Sequence, residues 1–146
     1  MDRVAKVLVY VTRHDDELLV IEHVDDDAGV QVPGGTVEPD EPLTEAAVRE
    51  LREEVGIEAE RVDLLGATDR PHPHRPVVHE RHFFHTVVDE PRDRWRHVVE
   101  GGGEDDGLTF ECYWLPVAEA QSVLGRDQEA YLDALGDPAT SRSRRS

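Results

Sequence analysis

Cysteine is almost missing from this chain: Cys112 stands alone among 146 residues. No internal disulfide can form, and no multi-cysteine metal site exists. No apolar run approaches the about 18 residues of a membrane span. The first residues pass directly into Val4-Ala5-Lys6-Val7-Leu8-Val9-Tyr10-Val11 without the plan of a secretory signal. The expectation is a soluble, cytoplasmic protein with no membrane partner. Positive charge is also scarce, with 16 Lys and Arg against 33 Asp and Glu and a formal net charge of -17. Such a surface argues against affinity gained by neutralising nucleic-acid phosphates, so no nucleic-acid partner is expected. A small phosphorylated ligand remains compatible if a divalent cation bridges the two negative partners. Plain solubility explains the same charge.

Hydrophobic residues make up 38% of the chain and charged residues 34%, the balance of a small protein with one core and a heavily charged exterior. One domain is expected over 1–136. The basic tail within 137–146, ending Ser141-Arg142-Ser143-Arg144-Arg145-Ser146, has nothing to bury and is expected to be disordered.

β-branched residues predict a strand over Val4 to Thr12 and another over Leu18 to Ile21, joined by the polar turn Arg13-His14-Asp15-Asp16. Val30 to Pro33 reads as a short extended piece. Further strands are expected over Arg61 to Gly66, Val77 to Val88 and Leu108 to Leu115, the last placing Leu108, Phe110, Cys112 and Trp114 on one side. Between them, Arg70 to Pro76 reads as broken by prolines and Asp89 to Gly107 as a charged, glycine-rich loop. Two helical pieces, Val117 to Leu124 and Asp127 to Leu135, close the chain. Strands on both sides of a central helix describe an α/β protein with a mixed sheet between helical layers.

That central helix begins after Gly34-Gly35-Thr36-Val37-Glu38-Pro39-Asp40-Glu41. Pro42 suits a first turn, Leu43 to Val55 carries no breaker, and Gly56 can adopt the left-handed conformation that ends a helix. Glu50, Glu53 and Glu54 fall at i, i+3 and i+4 on one face, whereas Val48, Leu51 and Val55 share another. Three like charges this close disfavour the helix by a few tenths of a kcal/mol per pair unless something neutralises them. A hard cation such as Mg²⁺ would do so, since it takes carboxylate and carbonyl oxygens and keeps places for water and substrate phosphates. Arg49 and Arg52 offer a purely structural neutralisation. Glycines at 34 and 35 let backbone pass close to a metal or phosphate.

Gly35, five residues, Glu41, seven residues, then Arg49-Glu50-Leu51-x-Glu53-Glu54-x-Gly56-Ile57 matches every position of the Nudix signature, and the chain resembles the Nudix hydrolases. The resemblance implies the α/β/α sandwich of that family. It implies metal-dependent hydrolysis of the pyrophosphate bond in a nucleoside diphosphate linked to another moiety, a small-molecule nucleotide being the substrate. It implies Mg²⁺ or Mn²⁺ held by Glu50, Glu53, Glu54 and the Gly34 carbonyl, with Gly35, Glu41 and Arg49 supporting the site. Glu50 can be read either as ligand or as a residue orienting its neighbours. Similar proteins often dimerise, which makes a homodimer a candidate assembly. Many members supply a further acidic residue from the loop before the last strand. Here Glu100, Glu104, Asp105, Asp106 and Glu111 are available; lining the strand up by Trp114-Leu115-Pro116 puts the expected place near Leu108, and Glu104 is chosen as the general base. A binding or sensing module on the same fold, without hydrolysis, is the alternative reading; an isomerase on this scaffold would need more histidine and cysteine positions.

His72, His74, His79, His82 and His85 are irregularly spaced, which fits surface histidines better than a zinc site. Arg70, Arg75 and Arg81 are candidates for clamping phosphates. Trp95 and Phe83 are candidates for stacking on a base or for packing.

Overall fold

A computed structural model describes residues 2–14, 16–101 and 106–135. Among these residues the strands are β1 (Asp2–Arg13), β2 (Glu17–His23), β3 (Gly34–Thr36), β4 (Asp63–Pro71), β5 (Val77–Val87), β6 (Arg94–Val98) and β7 (Thr109–Pro116); the helices are α1 (Leu43–Val55) and α2 (Val117–Val123), followed by a 3-10 turn at Leu132–Leu135. The basic tail and the Glu104 segment lie outside the described residues.

β1 is the spine. Its unbroken apolar run from Val7 to Val11 lets both faces be buried, and its length lets it pair on both edges. Along one edge it runs parallel to β5 from Asp2↔Val77 to Thr12↔Val87. The other edge is shared: β2 pairs at Thr12↔Leu18, and β3 pairs from Lys6↔Thr36 to Leu8↔Gly34. The sheet order is β4-β5-β1-β2-β7-β6, with β3 attached to β1. It is therefore mixed.

Strand alternation sends side chains to two cores. Val7, Val9, Val11 and Phe84 pack with Ala46, Ala47, Leu51 and Val55 of α1. Leu8, Tyr10, Leu18 and Phe83 pack on the opposite face with Ala120, Leu124 and Leu132. Sequential layers of helix, sheet and helix result, the α/β/α arrangement expected from the sequence. Trp95 and Phe83 are both buried in these cores, so their rings are packing residues.

Three elements differ from expectation. The charged stretch after Asp89 contains β6, whose Trp95 is buried between exposed Arg94 and Arg96. β4 continues through Arg70 and Pro71; it is an edge strand, where a missing N–H costs no ladder bond on the open side. The second C-terminal helix is reduced to turns and the short 3-10 segment. Arg126 and Asp127 take positive φ, and the Tyr10 hydroxyl donates to the Gln128 carbonyl at 2.5 Å and accepts from the Tyr131 N–H at 3.1 Å. Those tertiary bonds occupy backbone groups that a helix would pair internally. Leu108 also lies just outside β7 and is partly exposed, whereas Phe110, Cys112 and Trp114 are buried on one side.

Candidate active site

The site is assembled where β3 passes the last two turns of α1. In the β1·β3 ladder, Val9 N–H bonds the Pro33 carbonyl and Val37 N–H bonds the Ala5 carbonyl. Antiparallel alternation then turns the N–H and C=O of Gly34 away from β1. The Gly34 N–H donates to Glu54 Oε1 at 2.9 Å. Glu54 is only 3% exposed, so this part of the acidic face is not a solvated surface. A Cβ at Gly35 would run into the Glu50 carboxylate. The glycine pair thus admits two carboxylates against bare backbone.

Arg49 ties the acidic loop to the helix. Its Nε and Nη2 donate to Glu41 at 2.7 and 2.9 Å, Nη1 donates to Glu50 at 2.9 Å and Glu53 at 3.1 Å, and Nη2 also reaches the Thr36 carbonyl at 3.1 Å. The hydrogen bonds from Arg49 hold the Glu41 carboxyl below the usual carboxylate range. Glu41 in turn pushes the Arg49 pKa upward. One cation therefore relieves the repulsion among the helix glutamates that sequence spacing creates.

The end of α1 is capped by the glycine expected from the sequence together with three groups that sequence reading missed. Gly56 takes φ 73° as the left-handed cap. Trp95 Nε1 donates to the Val55 carbonyl at 3.0 Å, a ring nitrogen of His97 lies 3.1 Å from the Glu53 carbonyl, and the Glu100 N–H reaches that same carbonyl at 3.3 Å. These groups satisfy carbonyls that the helix leaves open. Gly101, at φ 105°, lies where a Cβ would strike the Glu53 carboxylate. The signal for this contact is a glycine next to an acidic loop, too weak to single out from sequence.

Of the acidic candidates for a base, Glu104 and Asp105 lie outside the described residues. Glu111 is paired with Arg94 and Arg96 at 3.5 and 3.2 Å. It sits on the sheet face away from α1, because Phe110 and Cys112 on either side face α1. Glu100 is the described acidic residue whose backbone is bonded to α1.

The donor chemistry fits a hard divalent cation: the carboxylates of Glu50, Glu53 and Glu54 and the carbonyl of Gly34 are all oxygens, and glycine backbone leaves room beside them. Among the described residues no three acidic, histidine or cysteine side chains converge as a formed metal cluster; Arg49 holds two of the glutamates. The histidines form no such cluster either. His72 stacks edge-on with His74 and His79 at 6.2 Å, and His85 shares a 2.8 Å hydrogen bond with Thr12 Oγ1.

A cleft of about 630 Å³ opens beside Gly34, Gly35 and Glu54; Val7, Ile21 and Phe110 line it from the α1 side of the sheet, and it continues to Lys6, Leu8 and Arg81 on the opposite face. Arg70 and Arg81 line it; Arg75 does not. The family model for the NUDIX domain matches residues 2–135. The chain belongs to the Nudix family. An RNA pyrophosphohydrolase of Pseudomonas fluorescens (strain SBW25) is 28% identical over 144 residues, spanning 90% of this chain and 88% of its own. The diphosphoinositol polyphosphate phosphohydrolase 3-alpha of Mus musculus is 28% identical over 120 residues, spanning 82% of this chain and 67% of its own. The Nudix fold is shared with the MutT NUDIX hydrolase from Burkholderia pseudomallei, at TM-score 0.71 and 20% identity over 91% of this chain and 98% of that one. The E. coli ORF135 protein superposes at TM-score 0.66 with 27% identity, over 99% and 94% of the two chains.

Proposed function

We propose that this Nudix hydrolase cleaves a pyrophosphate bond in a small phosphorylated substrate, most simply a nucleoside diphosphate linked to another group, with Mg²⁺ or Mn²⁺ as cofactor. The observation that supports this most is the junction of β3 and α1, where Glu54 is buried on the Gly34 N–H and Glu50 fills the space above Gly35. Glu50, Glu53, Glu54 and the Gly34 carbonyl would hold the metal, which when bound neutralises phosphate charge and lowers the pKa of a water.

The chain's own residues position the rest. Arg49 keeps Glu50 and Glu53 oriented and fixes the loop through Glu41. Trp95, His97 and Glu100 hold the last turn of α1 against the sheet, so the glutamates start in place and little reorganisation remains for the reaction. Leu8, Ile21, Val32 and Phe110 give the cleft an apolar lining next to the buried Glu54. The proton from the attacking water goes to a carboxylate: Glu100, whose N–H bonds the Glu53 carbonyl, is the described candidate, and Glu104, outside the described residues, is the candidate chosen from the sequence.

The test is turnover with Mg²⁺, and separately Mn²⁺, against ADP-ribose, nucleotide sugars, dinucleoside polyphosphates, nucleoside triphosphates and a 5′-triphosphorylated oligoribonucleotide, with EDTA as control. Metal-dependent release of a phosphorylated product is expected, with a loss of at least about 10²-fold in the Glu53→Gln, Glu54→Gln variant. Undiminished turnover by that variant would overturn the site assignment. Binding without turnover of any substrate would favour the sensing module instead.

A further inference from the structure

The cleft carries a charge opposite to that of the protein. Within a chain of net charge -17, its lining collects Lys6, Arg70, Arg81 and Arg126, together with histidines 72, 74 and 79, against Asp26 and Glu54. Lys6 is the chain's single lysine. The register explains the grouping: Thr68 of β4 opposes Arg81 of β5, Arg81 opposes Lys6 of β1, and Lys6 opposes Thr36 of β3. Side chains at opposed positions share a face, so this row lies on the face opposite α1. Arg70 opposes His79 in the next row but one.

Arg81 is the anomaly. It is 5% exposed, yet among the described residues its guanidinium has no hydrogen bond and no ion pair; the Phe83 ring lies 5.4 Å from the guanidinium carbon. Each of its side-chain nitrogens retains some access to solvent, because no fully enclosed side-chain nitrogen or oxygen among the described residues lacks a partner. The opening they face is the cleft. Burial, followed by the charge of Arg70, pushes its pKa below the usual arginine value, though an arginine stays charged at neutral pH. Asp127 and Glu129 act on it only through their charge, without a bond, and Asp127 sits 3.5 Å from Arg70. A buried, unpaired cation is costly to folding, and it is tolerated where a ligand completes it.

We propose that Arg81, flanked by Lys6, Arg70 and Arg126, is an anion subsite that takes a further phosphate of the substrate, one that is not part of the bond being cleaved. Resting on the hydrolase reading, this narrows the substrate class to molecules with at least three phosphates, whether in one linear chain or as a separate phosphomonoester. The spacing suits such a group. Arg81 lies two strands from Thr36, roughly 10 Å at the usual strand separation, and the long arms of Arg81 and Lys6 shorten that gap. A planar guanidinium recognises phosphate through two parallel N–H donors.

The experiment separates this subsite from the chemistry. In EDTA, inorganic tripolyphosphate is titrated into ¹⁵N-labelled wild type while the Arg81 Nε–H signal is followed; a saturable shift is expected, and calorimetry should show affinity at least tenfold weaker in Arg81→Met. With Mg²⁺, kcat/KM is compared within two pairs, ATP against ADP for a linear chain and NADP⁺ against NAD⁺ for a phosphomonoester. Wild type should prefer the more phosphorylated member of one pair, and Arg81→Met should reduce that preference at least tenfold, mainly through KM. An unmoved Arg81 signal, or equal losses within both pairs, would overturn the proposal; the wild-type signal decides even if the variant fails to fold. Tripolyphosphate binding at Arg81 with no turnover of any substrate would support the subsite while overturning the hydrolase reading.

Discussion

Two adjacent glycines separate folding from chemistry. A Cβ at Gly34 would overlap the Val7 carbonyl oxygen and crowd the Leu8 Cα at 3.1 Å, both backbone atoms of β1. A spine strand paired on both edges cannot yield, so β3 would have to leave it. Gly34→Ala then loses the pairs Lys6↔Thr36, Val7↔Gly35 and Leu8↔Gly34 and weakens the bond to Glu54. At about 1 kcal/mol net per hydrogen bond, the cost is roughly 2–4 kcal/mol. For a chain of this size that lowers Tm by about 5–15 °C. At Gly35 the nearest atoms to a new Cβ all belong to the Glu50 carboxylate. A side-chain end can rotate aside for about 1 kcal/mol. Gly35→Ala should therefore melt within about 1 kcal/mol of wild type, yet lose about 10²-fold in metal-dependent kcat because Glu50 is displaced. Urea melts followed by circular dichroism, paired with turnover in Mg²⁺, read both quantities. Equal stability of the two variants, or full activity in Gly35→Ala, would refute the reasoning.

Burial lowers the His85 pKa, so between its folded value and the ordinary value near 6.5 the unfolded chain binds more protons. Stability should fall as pH drops through about 6.5, and His85→Gln should flatten the dependence of Tm on pH between about 5 and 7.5; an unchanged slope would rule out this source. Cys112 is fully buried, and burial pushes its thiol up to about 12. Ellman's reagent should therefore label it only at the rate of global unfolding, and fast labelling of native protein at about pH 8 would show that β7 opens locally.

Helix α1 is legible to the residue because its limits are set by local chemistry. Pro42 precedes it, Gly56 ends it, and no residue between them opposes helix. The family signature lies on the same segment, so spacing along one helix is enough to name its candidate ligands. β6 is not legible, since Arg94-Trp95-Arg96-His97-Val98 offers one large buried side chain among charges; only pairing with β7 reveals the alternation. The expected helix over Asp127 to Leu135 fails for a tertiary reason, the capture of its backbone by Tyr10. Arg81 is one of three equal arginine candidates in the sequence. What distinguishes it is burial without a partner, a property that exists only once β1, β4 and β5 are aligned.

The position of β1 has a further consequence, for the exchange of amide hydrogens. β3 with its glycines, β5 with Arg81 and the start of the cleft at Lys6 all hang from this one strand. Neither the β3 glycines nor the β5 segment carrying Arg81 can open by local fraying without breaking β1 pairings that also hold the two cores together. The β1 amides should thus exchange only through global unfolding, as one cooperative unit. A ligand seated on either the acidic or the cationic side would then slow exchange at the same set of amides.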